Sequence, residues 1–302
     1  MNAAVTSARE DSPLDDAAEN SPPWEPLAAD EQAQFHEQGY LLLKSVVPCD
    51  EVASLLAEVA RLVRAAQDKG STFHEDYYHE GSFKLIRILS LTDAFDYLID
   101  HPAYFGKVVG LMGPYIQMMS SEIFVRGAAD AAITGFHTDL GPGLQPFVPH
   151  RPDAHLQIKM QLFLTDLSQP DSSNFALVPG SHRRPVEDRN PLCEITPLND
   201  AIAADGTLPP EALQICCEPG DLLLFPHTLW HAVAPNRVGR TRFSLSLRYG
   251  QLALRPLERF APILANANRA LSERQRRLLG DLGDRASAYR PADQERIIFA
   301  PY

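Results

Sequence analysis

The sequence contains no run of about eighteen apolar residues, so it predicts no membrane-spanning helix. No basic region followed by an apolar segment begins the chain, so no signal peptide is expected. Cysteine is scarce, and the spacing of Cys49, Cys193, Cys216 and Cys217 fits neither a zinc site nor a disulfide framework. Together these absences favour a protein of the reducing cytoplasm.

Basic residues are also in short supply. The chain has 27 Lys and Arg against 39 Asp and Glu, which gives a formal net charge of -12. This balance argues against a general binder of nucleic acid or of an anionic membrane. It leaves room for a small acidic ligand held by one or two local arginines, so the expected partner is a small molecule. Nothing in the sequence indicates an oligomeric state.

Hydrophobic residues make up 45% of the 302 residues and charged residues 22%, which is enough to build a sizeable core. Residues 1–27 are rich in Ala, Ser, Asp, Glu and Pro, and we expect a disordered tail there. Residues 28–302 are predicted to form a single domain. Within it, we expect a β core over about 115–250 and a C-terminal helical extension over 251–302.

Several short strand patterns separated by turn residues follow an N-terminal part with helical periodicity. Helices are predicted over 28–36 and 50–66, and long strands over 115–126 and 155–166. Residues 185–210 have no strong period and are expected to form a loop insertion. This order predicts a fold that is mainly β with helical cover.

A His-x-Asp triplet, His137-Thr138-Asp139, is the strongest chemical motif. Side chains at positions i and i+2 of a strand point the same way, so an imidazole and a carboxylate converge. Such a triplet is common by chance, and it needs support from elsewhere in the chain. His231, from another strand, is the candidate third ligand. Two histidines and one carboxylate on one face suit non-haem Fe(II) and leave positions open.

Arg242 follows His231 by eleven residues in a segment of alternating character. Phe243, Leu245 and Leu247 fall on one face of the predicted strand, and Arg242 and Ser244 fall on the other. A strand with Arg and Ser on one face can offer a forked cation and a hydroxyl to a single carboxylate.

Taken together, the motifs resemble those of the phytanoyl-CoA dioxygenase family, part of the Fe(II)/2-oxoglutarate-dependent oxygenases. The matching segments occur in the family's order between about residues 35 and 250. They are Glu37–Leu43, His137-Thr138-Asp139, Leu164–Leu167, Leu177–His182, Gly220–Phe225, Trp230-His231 with Pro235-Asn236, and Arg242–Ser246. The resemblance implies a double-stranded β-helix, also called a jelly roll or cupin-like core.

The resemblance also implies roles for individual residues. His137, Asp139 and His231 would hold Fe(II), and Arg242 would bind the distal carboxylate of 2-oxoglutarate, with Ser244 as a helper. Gln117, on the long strand before the iron motif, is a further candidate for contact with 2-oxoglutarate or substrate. With O2 as cosubstrate, the implied reaction is hydroxylation of an unactivated C–H bond of a small or medium natural-product or metabolic intermediate. Succinate and CO2 would be the coproducts.

Other outcomes use the same ligands, and desaturation, epoxidation and cyclisation stay open. An acidic residue at position 139 argues against halogenation, because related halogenases have a small residue there. A different class of protein, a non-catalytic jelly roll that binds a metal or a ligand, is the alternative.

Several side chains and segments near the iron motif keep alternative interpretations. His150 and His155 are possible extra ligands, but the set of three is already complete. His227 competes with His231, which is preferred for its distance from Arg242. Segments 69–80 and 141–154 are candidate walls or lids of a substrate pocket. Lys159 could reach into the barrel or face solvent.

Overall fold

The computed structural model of the protein describes residues 24–69, 74–76, 81–132, 134–139, 141, 153–184, 190, 193–205, 207–281 and 291–300. The expected tail therefore lies almost entirely outside the described residues, and its disorder stays a prediction. The helices are α1 (Ala29–Gln38), α2 (Cys49–Lys69), α3 (Pro102–Met112), α4 (Thr196–Asp205), α5 (Ala261–Leu264), α6 (Glu273–Leu278) and α7 (Pro291–Ile298). Short 3-10 helices cover Ile88–Ser90, Asp96–Ile99 and Ser181–Arg183.

In the part of the chain that the structure describes, eleven strands form two antiparallel sheets. The strands are β1 (Leu41–Leu43), β2 (His74–Asp76), β3 (Phe83–Ile86), β4 (Ile116–Arg126), β5 (Thr134–His137), β6 (Gln157–Phe163), β7 (Phe175–Leu177), β8 (Leu213–Ile215), β9 (Leu222–Pro226), β10 (His231–Val233) and β11 (Arg242–Gln251). The larger sheet has the order β1-β9-β6-β11-β4-β3-β2, and the smaller one β5-β10-β7-β8. Two antiparallel sheets around a shared interior form the expected double-stranded β-helix.

Strand alternation divides the large sheet into an apolar face and a polar face. On β11, Leu245, Leu247 and Tyr249 join the main hydrophobic core, which also contains the apolar sides of α2 and α3. The alternate residues of β11, such as Ser244 and Arg248, point the other way because the side-chain period of a strand is two. Both faces are buried, so the polar face must find partners inside the protein.

Turn chemistry sets the ends of the helical cover. Gly39 ends α1 with φ +81° and donates its N–H to the Phe35 carbonyl, a conformation that favours glycine. A side chain at this position would also collide with the His182 ring. α3 begins with Pro102, and the ring of His101 accepts a hydrogen bond from the Ala103 N–H. No helix among the described residues is long and apolar enough to cross a membrane.

Most predicted elements are present with small shifts at their ends. The strands predicted over 115–126 and 155–166 correspond to β4 and β6. The prediction of a loop over 185–210 is wrong in part, because α4 lies within it. Its Thr196-Pro197 start is a helix N-terminal signal that outweighs the weak period. Within the predicted helical extension over 251–302, the structure has the short helices α5, α6 and α7.

Leu247→Ala tests the core between the large sheet and the helices. Leu247 is fully buried, so its truncation should lower the free energy of unfolding by about 2–5 kcal/mol, measured by urea denaturation. The control is Leu257→Ala, because Leu257 is 65% exposed and its loss should change stability by less than about 0.5 kcal/mol. Equal effects of the two substitutions would contradict this packing.

Candidate metal centre

A cavity opens between the two sheets and is lined mainly by the polar face of the large sheet. Strands β4, β6 and β11 supply most of its charged side chains, and β5, β7 and β10 of the small sheet close the opposite side. The lining residues are Lys84, Glu122, Phe124, Arg126, Thr134, His137, Asp139, Lys159, Gln161, Phe175, Phe225, His231, Val233, Arg242 and Arg248. All three predicted metal ligands and Arg242 are among them.

His137, Asp139 and His231 converge in this cavity. His137 ends β5 and His231 begins β10, and the two residues are direct partners in the antiparallel register. Their ring centroids are 4.3 Å apart. One potential ligand atom from each histidine and from Asp139 lies within 4.8 Å of the others, and the three form the metal-binding cluster found among the described residues.

The backbone prepares both histidines as ligands. Nδ1 of His137 lies 2.9 Å from the Gly135 carbonyl, and Nδ1 of His231 lies 2.9 Å from the Leu229 carbonyl. A ring nitrogen facing a carbonyl must carry the proton, so Nε2 of each ring is left with its lone pair for a metal. Burial and the neighbouring His137 lower the pKa of His231 to about 3, which keeps its ring neutral.

Neighbouring elements hold the ends of β5 in place. On the strand itself, the Phe136 N–H donates to Oδ1 of Asn199 at 2.6 Å, and Nδ2 of Asn199 donates to the Phe136 carbonyl at 3.1 Å. Asn199 belongs to α4, which the sequence interpretation missed. A Cβ at Gly135 would lie 2.7 Å from Asn199 Oδ1, so a larger residue there would displace the Asn199 amide. Beyond the strand, the Asp139 N–H donates to the His227 carbonyl at 3.0 Å.

Two cations hold Asp139 in its ionised form. Lys159 Nζ lies 2.8 Å from Asp139 Oδ2, and Arg248 Nη2 lies 3.4 Å from Oδ1. Burial alone would raise the pKa of Asp139, but Lys159 and Arg248 outweigh it and hold the pKa well below its usual range. A deprotonated carboxylate beside two imidazoles is a complete ligand set for a divalent metal.

Arg242 is a buried cation without a carboxylate partner among the described residues. Its Nη1 donates to the Ser173 carbonyl, and its Nη2 donates to Oγ of Ser244 at 3.3 Å. Its guanidinium lies 5.3 Å from the centre of the Phe163 ring. Burial is the main reason that its pKa falls to about 9, with a smaller effect from Arg126. A buried guanidinium in a cavity fits an acidic ligand.

Ser244 lies where it could assist Arg242. Its Oγ accepts hydrogen bonds from Arg242 and from Nε2 of Gln161, the latter at 3.0 Å. The three side chains lie on the same polar face of β6 and β11, as the alternation predicts. Together they form a polar end of the cavity. Ser244 and Arg242 lie four and six residues along β11 from Arg248.

Gln117 does not belong to this cavity, so the prediction that it contacts 2-oxoglutarate is corrected. Its amide donates to the carbonyls of Gln251, Leu252 and Leu254, the last at 2.6 Å. Gln117 pairs with Gly250, eight residues along β11 from Arg242. At about 3.3 Å per residue that is about 26 Å, too far for a shared small ligand.

The alternative histidine ligands that the structure describes, His155 and His227, are not part of the metal-binding cluster. His155 is buried against Phe35 and lines a different cavity with Asp153. The Nδ1 atom of His227 lies 3.0 Å from the Gln157 carbonyl. His150 lies outside the described residues, as does most of segments 69–80 and 141–154, although β2 occupies part of the first. Their roles as walls or lids stay predictions.

Lys159, Arg248 and Glu122 form a charged group that was not assigned from the sequence. The sequence leaves Lys159 open between the barrel and solvent, and it does not single out Arg248 or Glu122. The signal was present in the strand alternation, because Lys159 shares a face with Gln157 and Gln161. Arg248 likewise follows Arg242 and Ser244 at even spacing.

Comparison with known proteins identifies the family. The family model described as phytanoyl-CoA dioxygenase (PhyH) matches residues 35–244, well over half of the chain. The chain therefore belongs to the phytanoyl-CoA dioxygenase family. The predicted enzyme class, a 2-oxoglutarate-dependent non-haem iron dioxygenase, is confirmed. No curated protein matches the chain.

Solved structures share the fold at low identity. HygX from Streptomyces hygroscopicus, with nickel and 2-oxoglutarate bound, is 16% identical with a TM-score of 0.60, covering 77% of this chain and 90% of HygX. The carbocyclase SnoK from nogalamycin biosynthesis is 19% identical with a TM-score of 0.59, covering 74% and 84%. The epimerase SnoN, in complex with Fe3+, alpha ketoglutarate and nogalamycin RO, is 19% identical with a TM-score of 0.56, covering 73% and 82%.

Metal titration of the purified protein tests the three-ligand cluster. Anaerobic calorimetry should show one equivalent of Fe(II) bound, and His137→Ala should weaken that binding by more than about 100-fold because one of three ligands is lost. The matched control is His155→Gln, which removes a buried histidine from another cavity and should leave Fe(II) affinity unchanged. Equal affinity of His137→Ala and the unsubstituted protein would contradict the cluster.

Proposed function

We propose that the protein hydroxylates an unactivated C–H bond of a small or medium natural-product or metabolic intermediate, with Fe(II), 2-oxoglutarate and O2. One observation carries the proposal: a two-histidine, one-carboxylate cluster shares a cavity with a buried arginine that has no carboxylate partner among the described residues. The first feature suits Fe(II) with open positions. The second suits the far carboxylate of a dicarboxylic acid.

Different residues of the cavity have different proposed roles. His137, Asp139 and His231 would hold iron, and Arg242 with Ser244 would fix the distal carboxylate of 2-oxoglutarate. Iron with bound 2-oxoglutarate and O2 supplies the oxidation: one oxygen atom enters the substrate as a hydroxyl and the other enters succinate, with release of CO2. The chain orients these partners and keeps water from the reacting carbon.

Rigid surroundings support this positioning. The ring of His231 stacks on Phe175 with centroids 5.0 Å apart and meets the edge of Phe225 at 5.2 Å. These apolar rings, one from β7 of the small sheet and one from β9 of the large sheet, limit rotation of the His231 ring. Such preorganisation lowers the cost of reaching the reactive geometry.

Related outcomes use the same ligands, and the names of the structural neighbours include a carbocyclase and an epimerase. Hydroxylation is the default because it needs no additional group in the cavity. Product mass distinguishes the outcomes: hydroxylation and epoxidation add one oxygen atom, desaturation and oxidative cyclisation remove two hydrogen atoms, and epimerisation changes nothing. A substrate of secondary metabolism fits neighbours such as HygX with hygromycin B bound. A cytoplasmic location stays a prediction.

The visible charge-transfer band of Fe(II)-bound 2-oxoglutarate tests the role of Arg242. Anaerobic titration should produce the band in the unsubstituted protein. Arg242→Met should weaken 2-oxoglutarate binding by about 100-fold while Fe(II) still binds, because the buried counter-charge of the far carboxylate is lost. Arg242→Lys should fall between the two, since it retains the charge but not the fork.

The control for this titration is Arg237→Met, which removes a half-exposed arginine paired with Asp171 outside the cavity. Its 2-oxoglutarate affinity should match that of the unsubstituted protein. Unchanged affinity in Arg242→Met would show that the distal carboxylate is held elsewhere and would refute the assignment.

A further inference from the structure

Two buried cations lie side by side on the polar face of the large sheet. Lys159 on β6 and Arg248 on β11 are direct partners in the antiparallel register. They are only 6% and 9% exposed, and both line the cavity. Like charges directly opposite on neighbouring strands repel each other, and low solvent exposure strengthens the repulsion. The pair therefore needs anionic charge in front of it.

Two carboxylates supply that charge. Asp139 contacts both cations, at 2.8 Å and 3.4 Å, and Glu122 lies 3.8 Å from Lys159 Nζ. Glu122 also lies 3.7 Å from Nζ of Lys84. Neither carboxylate is thus dedicated to one cation. The balance around Lys159 and Arg248 depends on Asp139 more than on any other group.

Asp139 is also the proposed carboxylate ligand of the metal. A divalent ion on Asp139 shares its negative charge, and the group then contains four positive charges, from the metal, Lys159 and Arg248, against two from Asp139 and Glu122. Charge of this size in a buried place attracts a further anion.

The position of the pair separates it from Arg242. Arg242 and Arg248 point to the same face of β11 but are six residues apart. Their guanidinium groups have different partners, because Arg242 contacts Ser173 and Ser244 whereas Arg248 contacts Asp139 and Gln157. A molecule held at Arg242 and at the metal therefore leaves the side of the metal near Lys159 and Arg248 for another ligand.

From this arrangement we infer that Lys159 and Arg248 form an anion-binding subsite, and that the substrate carries a carboxylate or phosphate group close to the carbon that is oxidised. The inference rests on the proposed function, which it deepens by naming a substrate class. Arg248 is oriented for this role by Nη1, which donates to Oε1 of Gln157 at 3.3 Å. The subsite would anchor the acidic group and fix which C–H faces the metal.

The same anion chemistry has a second source, the carboxylate at the 2-oxo end of 2-oxoglutarate, which also lies beside the metal when bound. The two sources differ in a measurable way. A subsite for substrate accepts an anion after 2-oxoglutarate has bound, and its loss leaves 2-oxoglutarate affinity intact. A subsite for the 2-oxo acid is filled by 2-oxoglutarate itself.

The test uses acetate as the probe and acetamide as its neutral counterpart of the same shape. Anaerobic protein saturated with Fe(II) and 2-oxoglutarate is titrated with each, and binding is followed by calorimetry and by the change in the charge-transfer band. Acetate should bind and acetamide should bind at least about tenfold more weakly. Lys159→Met and Arg248→Met, made separately and each first brought to a full charge-transfer band with Fe(II) and 2-oxoglutarate, should each weaken acetate binding by about tenfold.

Lys107→Met is the matched control, because Lys107 is another buried lysine and its partners, Glu25 and Glu31, lie outside the cavity. Acetate should bind to this variant as to the unsubstituted protein. Equal binding of acetate and acetamide, or unchanged acetate binding in both cavity variants, would overturn the subsite. Acetate that competes with 2-oxoglutarate, together with weaker 2-oxoglutarate binding in Lys159→Met, would assign the subsite to the 2-oxo acid and overturn the substrate inference.

Failure of the proposed function has a different signature. If no charge-transfer band forms in the unsubstituted protein, the cosubstrate assignment fails before acetate is added. If the band forms but acetate does not bind, the function stands and the anion subsite is refuted.

Discussion

The buried carboxylate of Asp139 is the charge on which the rest of the cavity depends. A carboxylate inside a protein is costly unless cations and hydrogen bonds compensate it. Here Lys159 and Arg248 provide the cations, and the His227 carbonyl fixes the backbone of Asp139. The same carboxylate lies beside the imidazoles of His137 and His231. Its ionised form therefore completes the three-ligand metal site. A metal that binds Asp139 would also reduce the negative charge that compensates Lys159 and Arg248.

The jelly roll stabilises this buried charge because a strand of the large sheet such as β11 has one face in the main hydrophobic core and the other face in the cavity. Leu245 and Leu247 of β11 pack in the main core, while Ser244 and Arg248 face the cavity. The free energy gained by the apolar face holds the polar face in place, and the polar groups satisfy one another across strands. A substitution in the core therefore affects the geometry of the site through the strand that both share.

Much of the site follows from local sequence. His137 and Asp139 are two residues apart on a strand end, and Arg242 and Ser244 share a strand face, so these pairings follow from the period of a strand. That His231 meets His137 depends on pairing between distant strands, and the family resemblance supplied it. Strand alternation also indicates that Lys159 faces the cavity, but its contact with Asp139 requires the packing of two sheets.

The predictions for Gln117 and for α4 are wrong for physical reasons. Gln117 is on the strand that reaches the cavity, but it lies at the far end, where its amide donates to the Gln251 carbonyl at the end of β11 and to the Leu252 and Leu254 carbonyls just beyond it. α4 has a weak apolar period, and its role in fixing Phe136 through Asn199 is a long-range contact. Local sequence patterns misplace the residues whose position depends on contacts with distant parts of the chain.

The central claim is that this cavity performs iron-dependent oxidation with 2-oxoglutarate. It is tested most directly by incubating the protein with Fe(II) and carboxyl-labelled 2-oxoglutarate in air and measuring labelled CO2 and succinate over prolonged reaction. The account predicts that both form in equal amounts, require Fe(II) and O2, and disappear in His231→Ala. Absence of both products from protein that binds Fe(II) and 2-oxoglutarate would contradict it, as would their formation without iron.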